Sequence, residues 1–238
     1  MTTNQETLDQ IRQYLEESYE RSTTYSVPKK SDLTFGNTVK ELEHAKIFYI
    51  DMRKSRKILT DATDFWSVKI HKAFLRAVIH CIEKRDGHLR SFNGDGILAF
   101  FIGDKAASKA VRAAMNIKGF VNEINSILSE NDKNKIDFGI GIAQGQIMIA
   151  KSGKAGDDQT KQDLIWIGIA LYVAVELSEL GKSPENIWVS DNIFNSVIKD
   201  GDSLNTLKHE GEWIWFYEHK TLNNGYQKVH HTTWYFNV

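Results

Sequence analysis

The most constraining feature of this chain is the stretch of residues 91–101, which reads Ser-Phe-Asn-Gly-Asp-Gly-Ile-Leu-Ala-Phe-Phe. Asn-Gly and Asp-Gly are strong signals for a tight turn between two strands, because Gly and Asn tolerate positive φ angles. The stretch therefore predicts a short hairpin with Asp95 at its turn. An earlier apolar run, residues 46–51, ends in a second acid, Asp51. A carboxylate that ends a buried strand, beside a carboxylate at a hairpin tip, is suited to bind hard divalent cations.

Each acid also has an interpretation without a ligand. Acids are common in turns, so Asp95 taken alone is equally typical of a solvated turn. Asp51 is harder to explain in this way, because an acid at the end of an apolar strand needs a cation or hydrogen-bond donors. The pair is therefore interpreted as a metal site.

Composition limits the kinds of protein that this chain can be. Its 238 residues fit one domain, or one domain with appendages, and an apolar fraction of 41% can build a sizeable core. A net charge of −1 gives no general electrostatic reason to expect nucleic-acid binding. The one cysteine, Cys81, permits neither an internal disulfide nor a cysteine-based metal cage. The polar N-terminus and the lack of an apolar run of about 20 residues predict a cytoplasmic protein without a membrane span.

Hydrophobic periodicity predicts an α+β chain in two parts, an N-terminal helix and loop over residues 1–36 and a main domain over residues 37–238. In chain order we expect a helix over 1–22, a strand at 46–52, a helix over 65–84 capped by Asp64, a hairpin at 89–102, a helix capped by Asp104, a strand at 136–142 turned back at Gln144-Gly145 into 146–151, a helix ending at 180, a strand at 186–189, and two tail strands at 213–217 and 232–236. This order predicts a mixed, mainly antiparallel sheet with helices packed on one face.

Two of these motifs resemble those of class III nucleotide cyclases. Tyr49-Ile50-Asp51-Met52 is similar to that family's aromatic-x-Asp-Ile motif, and Gly94-Asp95 followed by residues 97–100 is similar to its second metal motif. Asp95 follows Asp51 by 44 residues, a spacing that also resembles the family's. The resemblance extends over about residues 44–190 and implies a ferredoxin-like cyclase catalytic domain within residues 37–238.

The same resemblance implies a cofactor. Two Mn²⁺ or Mg²⁺ ions per site would be bound by the carboxylates of Asp51 and Asp95 and by the carbonyl of Met52. They would lower the pKa of the ribose 3′-hydroxyl and bridge the triphosphate. The backbone amides of residues 52–55, with Arg53 or Lys54 nearby, are expected to contact phosphate oxygens.

The positions that read the base differ from those of adenylate and guanylate cyclases. Ser91 stands where Lys or Glu is usual, with Arg90 beside it, and Ile165 stands where Asp or Cys is usual. Tyr49 replaces the usual Phe and would narrow the pocket. We expect these four residues to bind the nucleotide, although packing and solvation explain Tyr49 and Arg90 equally well.

The family's transition-state residues are also changed. Its usual motif supplies an Asn and an Arg from across a dimer interface, and Tyr172 and Glu176 stand in those places here. Tyr172 can still donate one hydrogen bond to the nucleotide, whereas Glu176 cannot stabilise negative charge on phosphate. The chain is therefore expected either to be inactive or to use another cation. The candidates are Arg90, Lys151, Lys220 and Lys228.

Retained metal acids with altered base positions resemble one branch in particular, the bacterial pyrimidine nucleotide cyclases of the Pycsar antiphage system. Residues 229–235 of the tail are also similar to that branch. The resemblance implies a homodimer that converts UTP or CTP to the 3′,5′-cyclic monophosphate and diphosphate. The side chain of Arg90 only donates hydrogen bonds and therefore favours UTP, whose base has two carbonyl oxygens where that of CTP has one. Each site would take its metal acids from one chain and residues 165–176 from the other. A separate effector protein would read the product, with no nucleic-acid or membrane partner.

Two alternatives remain open at this point. The changes at Tyr172 and Glu176 favour a catalytically degenerate module that binds nucleotide or only dimerises. A diguanylate cyclase is disfavoured, because the sequence lacks that family's Gly-Gly-Asp/Glu-Glu-Phe hairpin. His230 and His231 are expected to lie at the surface on opposite faces of a strand, where they make a poor metal chelate.

Overall fold

The computed structural model describes residues 3–55, 64–156, 158–202 and 206–238. The chain forms two compact units, one from Met1–Glu43 with Gln146–Gly168 and one from His44–Gly145 with Ile169–Val238. The helices are α1 Asn4–Glu16, α2 Asp64–Glu83, α3 Ala106–Glu130, α4 Ile169–Leu180 and α5 Asp191–Lys199. The strands are β1 Glu20–Thr24, β2 Thr38–Arg53, β3 His88–Asn93, β4 Gly96–Phe101, β5 Asp137–Gly153, β6 Gln162–Ile167, β7 Ile187–Ser190, β8 Lys208–His209, β9 Glu212–Trp213, β10 Phe216–Leu222 and β11 Gly225–Thr232. The sequence-based division at residue 36 stays a prediction.

The first unit joins the N-terminal segment to a hairpin. Helix α1 begins with a capping box, in which the backbone of Glu6 donates to the Thr3 hydroxyl and the Glu6 carboxylate accepts from the Thr3 backbone. Strand β1 pairs in parallel with the start of β2, and the end of β5 pairs with β6 in antiparallel. The expectation of helix up to residue 22 followed by loop was wrong, because residues 20–24 pair as a strand with residues 38–42, outside the local sequence.

The second unit is a mainly antiparallel sheet with the strand order β10-β11-β7-β5-β2-β4-β3, in which β5 and β7 run parallel. Helices α2, α3 and α5 contribute to one hydrophobic core together with strand residues such as Phe48, Ile50 and Ile140. The expected α+β fold, with a mixed and mainly antiparallel sheet and packed helices, is confirmed.

Helix α4 lies on the other face of this sheet, so the expectation of helices on one face was wrong. Strand residues alternate between faces, and Ile140 and Ile142 point into the core while Gly139 and Gly141 point to α4. A Cβ atom on Gly141 would lie 1.8 Å from the Ala174 carbonyl oxygen. The glycines therefore let the backbone of α4 approach the sheet directly.

Strand β5 runs without interruption through the expected turn at Gln144-Gly145. A Cβ atom on Gly145 would lie 2.6 Å from the Cβ of Ala170. Gly145 is therefore required for close packing against α4, and the chain reverses only after Gly153. The expected N-cap at Asp104 was also wrong, since Lys105 occupies that position with φ 52° and no capping hydrogen bond.

The tail contains a helix, α5, and two short strands, β8 and β9, that the sequence did not predict, and two strands that it misplaced. Helix α5 buries Ile193 and Val197, and strands β10 and β11 lie outside the expected ranges 213–217 and 232–236 for most of their length. His230 and His231 are buried, which contradicts the surface assignment. Their rings stack on Phe194 and Trp188, with centroids 3.9 and 4.4 Å apart.

Cys81 is buried on α2, and burial raises the pKa of its thiol to about 11. Among the described residues, no helix is both long and apolar enough to cross a membrane.

Candidate functional site

The two acids that the sequence singles out lie at the same end of neighbouring strands. On β2, Ile50 pairs with Ile97 of β4, and Asp51 follows Ile50. The β3–β4 hairpin closes with the pair Asn93 and Gly96, so its turn consists of Gly94 and Asp95 alone. Gly94 has φ 67°, which a two-residue hairpin turn requires at its first position when that turn is of type II′.

The charge of Asp95 affects the ionisation of two neighbouring groups at this end of the sheet. Burial raises the pKa of Asp51, and the negative charge of Asp95 raises it further, against a lowering effect from a backbone hydrogen bond of Met52. Burial likewise raises the pKa of Tyr49, and the charges of Asp51 and Asp95 add to that effect. Two carboxylates and a phenol therefore share one electrostatic environment.

The donor set at this position fits a hard divalent cation. The Oδ2 atom of Asp95 is buried and has no hydrogen-bond partner, which is unusual for a carboxylate oxygen. Within the described ranges, no group of three or more His, Cys, Asp and Glu side chains could hold a metal ion. A Mg²⁺ ion is usually held in proteins by one or two carboxylates together with substrate phosphates and water. Two acids are thus sufficient where the ligand itself carries phosphates.

Three of the expected base-reading residues belong to the same part of the sheet. Tyr49 of β2 and Ser91 of β3 both pair with Leu98 of β4, so their side chains share one face with Asp51, two residues after Tyr49. Arg90 lies at an irregularity in the pairing between Leu89 and Ser91. Its Nη1 atom donates to the Leu89 carbonyl oxygen at 2.6 Å. Irregularities of this kind redirect a side chain locally.

Arg53 has a different partner from the phosphate expected for it. Its guanidinium donates to the carbonyl oxygens of Gly181 and, at 3.4 Å, of Ser178 at the end of α4. A cation at the end of a helix also interacts favourably with the helix dipole. Arg53 therefore joins the end of strand β2, two residues beyond Asp51, to helix α4.

Helix α4 carries the two altered transition-state positions. The Tyr172 side chain is exposed, at 56%. Both carboxylate oxygens of Glu176 accept from the backbone N–H of Asn223, at 3.1 and 3.0 Å. Asn223 lies in the turn between β10 and β11, so Glu176 holds this turn against α4.

Ile165 belongs to the first unit, where it is 43% exposed and lines a cavity. The three lysines considered as replacement cations each have a contact. Lys151 lies over the Phe35 ring at 4.9 Å, Lys220 pairs with Glu218, and Lys228 lies 3.7 Å from Asp191.

Two roles were not found from the sequence. Glu176 was noted only as a lost Arg, and Arg53 only as a phosphate ligand. Their partners are backbone groups far along the chain, which no local pattern indicates. The residues of the N-terminal segment that line the first unit's cavity were missed because β1 was not predicted.

Comparison with known proteins agrees with this geometry. No family model matches the chain. It is 28% identical over 198 residues to a protein named uridylate cyclase from Burkholderia cepacia. The aligned region covers 79% of this chain and 83% of that protein. The chain is 25% identical over 224 residues to a uridylate cyclase from Xanthomonas perforans, with coverage of 91% and 90%. Among solved structures it resembles the adenylyl cyclase CyaB from P. aeruginosa, with a TM-score of 0.66, 15% identity, and coverage of 82% of this chain and 95% of that one. The resemblance to class III cyclases inferred from the two motifs is confirmed.

Proposed function

We propose that this protein is a metal-dependent nucleotidyl cyclase that converts UTP, in preference to CTP, to the 3′,5′-cyclic monophosphate and diphosphate. The observation that carries the proposal is the pair Asp51 and Asp95, placed together at one end of the sheet with a buried carboxylate oxygen that has no partner. The fold and the named relatives support a cyclase, and the base-facing residues support a pyrimidine.

Asp51, Asp95 and the Met52 carbonyl would hold Mn²⁺ or Mg²⁺, two ions per site. When bound, such cations lower the pKa of the ribose 3′-hydroxyl and neutralise charge on the triphosphate. The residues themselves would position the nucleotide, because the strand ends fix where the two carboxylates lie. Since the described site offers only these two acids, the phosphates of the substrate would complete the coordination.

The base would lie against the face that Tyr49 and Ser91 share. Tyr49 is larger than the Phe that purine cyclases carry, and Ile165 offers no hydrogen bond to a purine edge. Arg90 donates only, so it suits a base with two carbonyl oxygens, and uracil has two where cytosine has one. A base whose polar edge leaves a buried partner unpaired loses several kcal/mol in such a site. We expect Arg90→Ala to lower cyclic UMP formation far more than it lowers the affinity for Mn²⁺.

The working form would be a symmetric homodimer, with the metal acids from one copy and helix α4 from the other. Ile169 and Tyr172 on α4 are 67% and 56% exposed, which leaves apolar surface available for a second copy. Light scattering at assay concentration tests this assembly. A monomer whose specific activity is unchanged on dilution to nanomolar would contradict it.

A second candidate is a catalytically degenerate module that binds nucleotide or dimerises. It is favoured by Glu176, whose carboxylate is fully engaged by the backbone of Asn223 and offers no cation to the phosphates. The retained acid pair, with its unpartnered oxygen, argues for the enzyme.

In the cell, the product would act as a second messenger in antiphage defence, read by a separate effector protein. This part of the proposal rests on the resemblance to pyrimidine cyclases alone. It would be tested by measuring cyclic UMP in cells before and after phage infection, with and without the Asp51→Asn substitution.

The decisive test is incubation of the protein with each of the four nucleoside triphosphates and Mn²⁺, with detection of cyclic products by mass. We expect cyclic UMP as the main product. Cyclic AMP or cyclic GMP as the main product would overturn the roles given to Tyr49, Arg90 and Ile165. No cyclic product from any triphosphate would favour the degenerate module.

Asp51→Asn should abolish turnover while the fold is retained. A matched control is Asp163→Asn, because Asp163 is an exposed acid on β6 whose carboxylate contacts Lys30 and the backbone N–H of Leu164. Full activity of Asp51→Asn would remove Asp51 from the mechanism.

A further inference from the structure

The first unit contains a cavity of about 470 Å³. Its lining includes Ile165, which has a proposed role at the base, and Lys151, a candidate replacement cation, but its other residues have no role in the proposed function. Its volume falls within the range of about 300–1,000 Å³ that is typical of small-molecule sites. It is lined by residues of α1, the N-terminal strand segment, the start of β2 and the β5–β6 hairpin. These are Tyr14, Tyr19, Arg21, Gly36, Val39, residues 148–153, Ile165 and Ile167.

One wall of the cavity is apolar. Met148 of β5 pairs with Ile167 of β6, and Ala150 pairs with Ile165, so all four side chains lie on one face of the hairpin. Ile165 and Ile167 are each 43% exposed. When an apolar ring covers exposed branched side chains in a concave surface, the burial of apolar area favours binding.

The other described lining residues supply aromatic rings and positive charge, and no negative charge. Tyr14 and Tyr19, 46% and 40% exposed, supply aromatic rings. Arg21 and Lys151 supply positive charge, and Lys151 lies over the Phe35 ring rather than beside a carboxylate. No aspartate or glutamate is among the described lining residues, although Glu41 contacts Arg21 from outside the lining at 3.4 Å.

We propose that this cavity is a metal-independent binding site for a small planar compound with a single negative charge, of the class of cyclic nucleotide monophosphates. The ring would stack between the tyrosines and the isoleucine wall, and the phosphodiester would be bound by Arg21 and Lys151. A nucleoside triphosphate suits the cavity less well, because it requires a divalent cation and the lining has no carboxylate to hold one.

This inference goes beyond the proposed function, since it needs neither turnover nor the acids of the second unit. If the protein makes a cyclic nucleotide, the cavity would let it sense its own product. If the protein is not a cyclase, the binding can still be measured.

The test is a calorimetric titration of the full chain with cyclic UMP in the presence of EDTA. We expect saturable binding of one ligand per chain, and at least about tenfold weaker binding of uridine, which lacks the charge. Arg21→Ala should weaken cyclic UMP binding by at least about tenfold. Arg12→Ala is the matched control, because Arg12 is an exposed arginine on α1 outside the cavity.

A second variant guards against loss of fold as the explanation. Ile167→Glu places a negative charge on the apolar wall and should also abolish binding, while circular dichroism confirms that both variants are folded. Tyr14→Phe should retain binding, because it keeps the ring.

Three results would overturn the inference. The first is no saturable binding of cyclic UMP in EDTA up to about 1 mM, a concentration that corresponds to very weak affinity. The second is unchanged affinity in folded Arg21→Ala. The third is binding that needs Mn²⁺ and disappears in Asp95→Asn, which would place the ligand at the acid pair and leave the proposed function intact.

Discussion

The acid pair and Glu176 are both carboxylate sites in the second unit, and they differ in how their oxygens are used. Asp95 has a buried oxygen with no hydrogen-bond partner, and it lies close enough to Asp51 for its charge to help raise the pKa of Asp51. Glu176 places both oxygens on one backbone N–H of Asn223. An acid kept without a donor beside another acid costs stability, whereas an acid bound to the backbone contributes to it. The comparison separates an acid pair that is open to a ligand from an acid that stabilises the fold.

The largest expected effect separates these two roles at Asp95. Asp95→Asn should lower the initial rate with UTP and Mn²⁺ by at least about 100-fold, because the proposed metal site would lose one of its two charged ligands. The free energy of unfolding should stay the same or rise, since the substitution removes a charge that has no partner. Urea unfolding together with the rate assay checks both parts. A large loss of stability would mean that Asp95 serves the fold as Glu176 does.

The next effect concerns the packing of helix α4, which carries Glu176, against the sheet. Gly141→Ala should lower the free energy of unfolding by about 3 kcal/mol, because the new Cβ would meet the Ala174 carbonyl oxygen at 1.8 Å. Gly145→Ala is the graded comparison, since its Cβ would meet a side-chain methyl at 2.6 Å, and it should cost less. Equal and small losses in both variants would show that α4 is not held against the sheet at Gly141.

A buried cation extends the comparison to the opposite charge. Lys118 on α3 donates to the carbonyl oxygens of Thr233, at 2.6 Å, and Pro184, and burial lowers the pKa of its ammonium to about 8 from an ordinary 10.5. Between these two pH values the unfolded chain keeps a proton that the folded chain releases. The free energy of unfolding should therefore rise with pH in this window, by about 2 kcal/mol from this group.

Unfolding in urea at pH 8 and pH 10 measures this effect as a difference between wild type and Lys118→Met, which lacks the titrating group. Lys135→Met, at an exposed position, is the control. If wild type and Lys118→Met change in parallel between the two pH values, the ammonium of Lys118 is not destabilised by burial.

The smallest expected effect is at Glu176 itself. Glu176→Ala should lower the free energy of unfolding by about 1 kcal/mol or less, because the N–H of Asn223 loses its acceptor in an exposed position. Glu176→Gln, which keeps one acceptor oxygen, should lose less. If Glu176→Arg raised cyclase activity, position 176 would be one where a catalytic Arg has been lost, and the carboxylate would not be there to stabilise the fold.

Local signals in the sequence were sufficient to predict the strand and the hairpin that carry Asp51 and Asp95. Asn-Gly and Asp-Gly predict the β3–β4 turn from neighbouring residues alone, and the apolar run before Asp51 predicts a buried strand. The structure contains both elements, and the pairing of β2, β3 and β4 brings the two acids to the same end of the sheet.

The signals failed where a residue serves a distant partner. Gly145 was interpreted as a turn residue, but its missing Cβ accommodates Ala170 on another element. The segment of residues 20–24 was interpreted as helix and loop, because its parallel partner at residues 38–42 is not a local neighbour. His230 and His231 were assigned to the surface, since nothing near them in sequence shows the rings of Phe194 and Trp188. Tertiary packing decided each of these positions.

The buried thiol of Cys81 makes this protein convenient for chemical labelling. The thiolate is the nucleophile that attacks alkylating reagents, and a thiol with a pKa of about 11 that is 2% exposed offers almost none at neutral pH. Since the sequence has no other cysteine, a single cysteine introduced at the surface would carry a fluorophore or spin label selectively. Reaction of the unmodified chain with such a reagent would then report the opening of the α2 core.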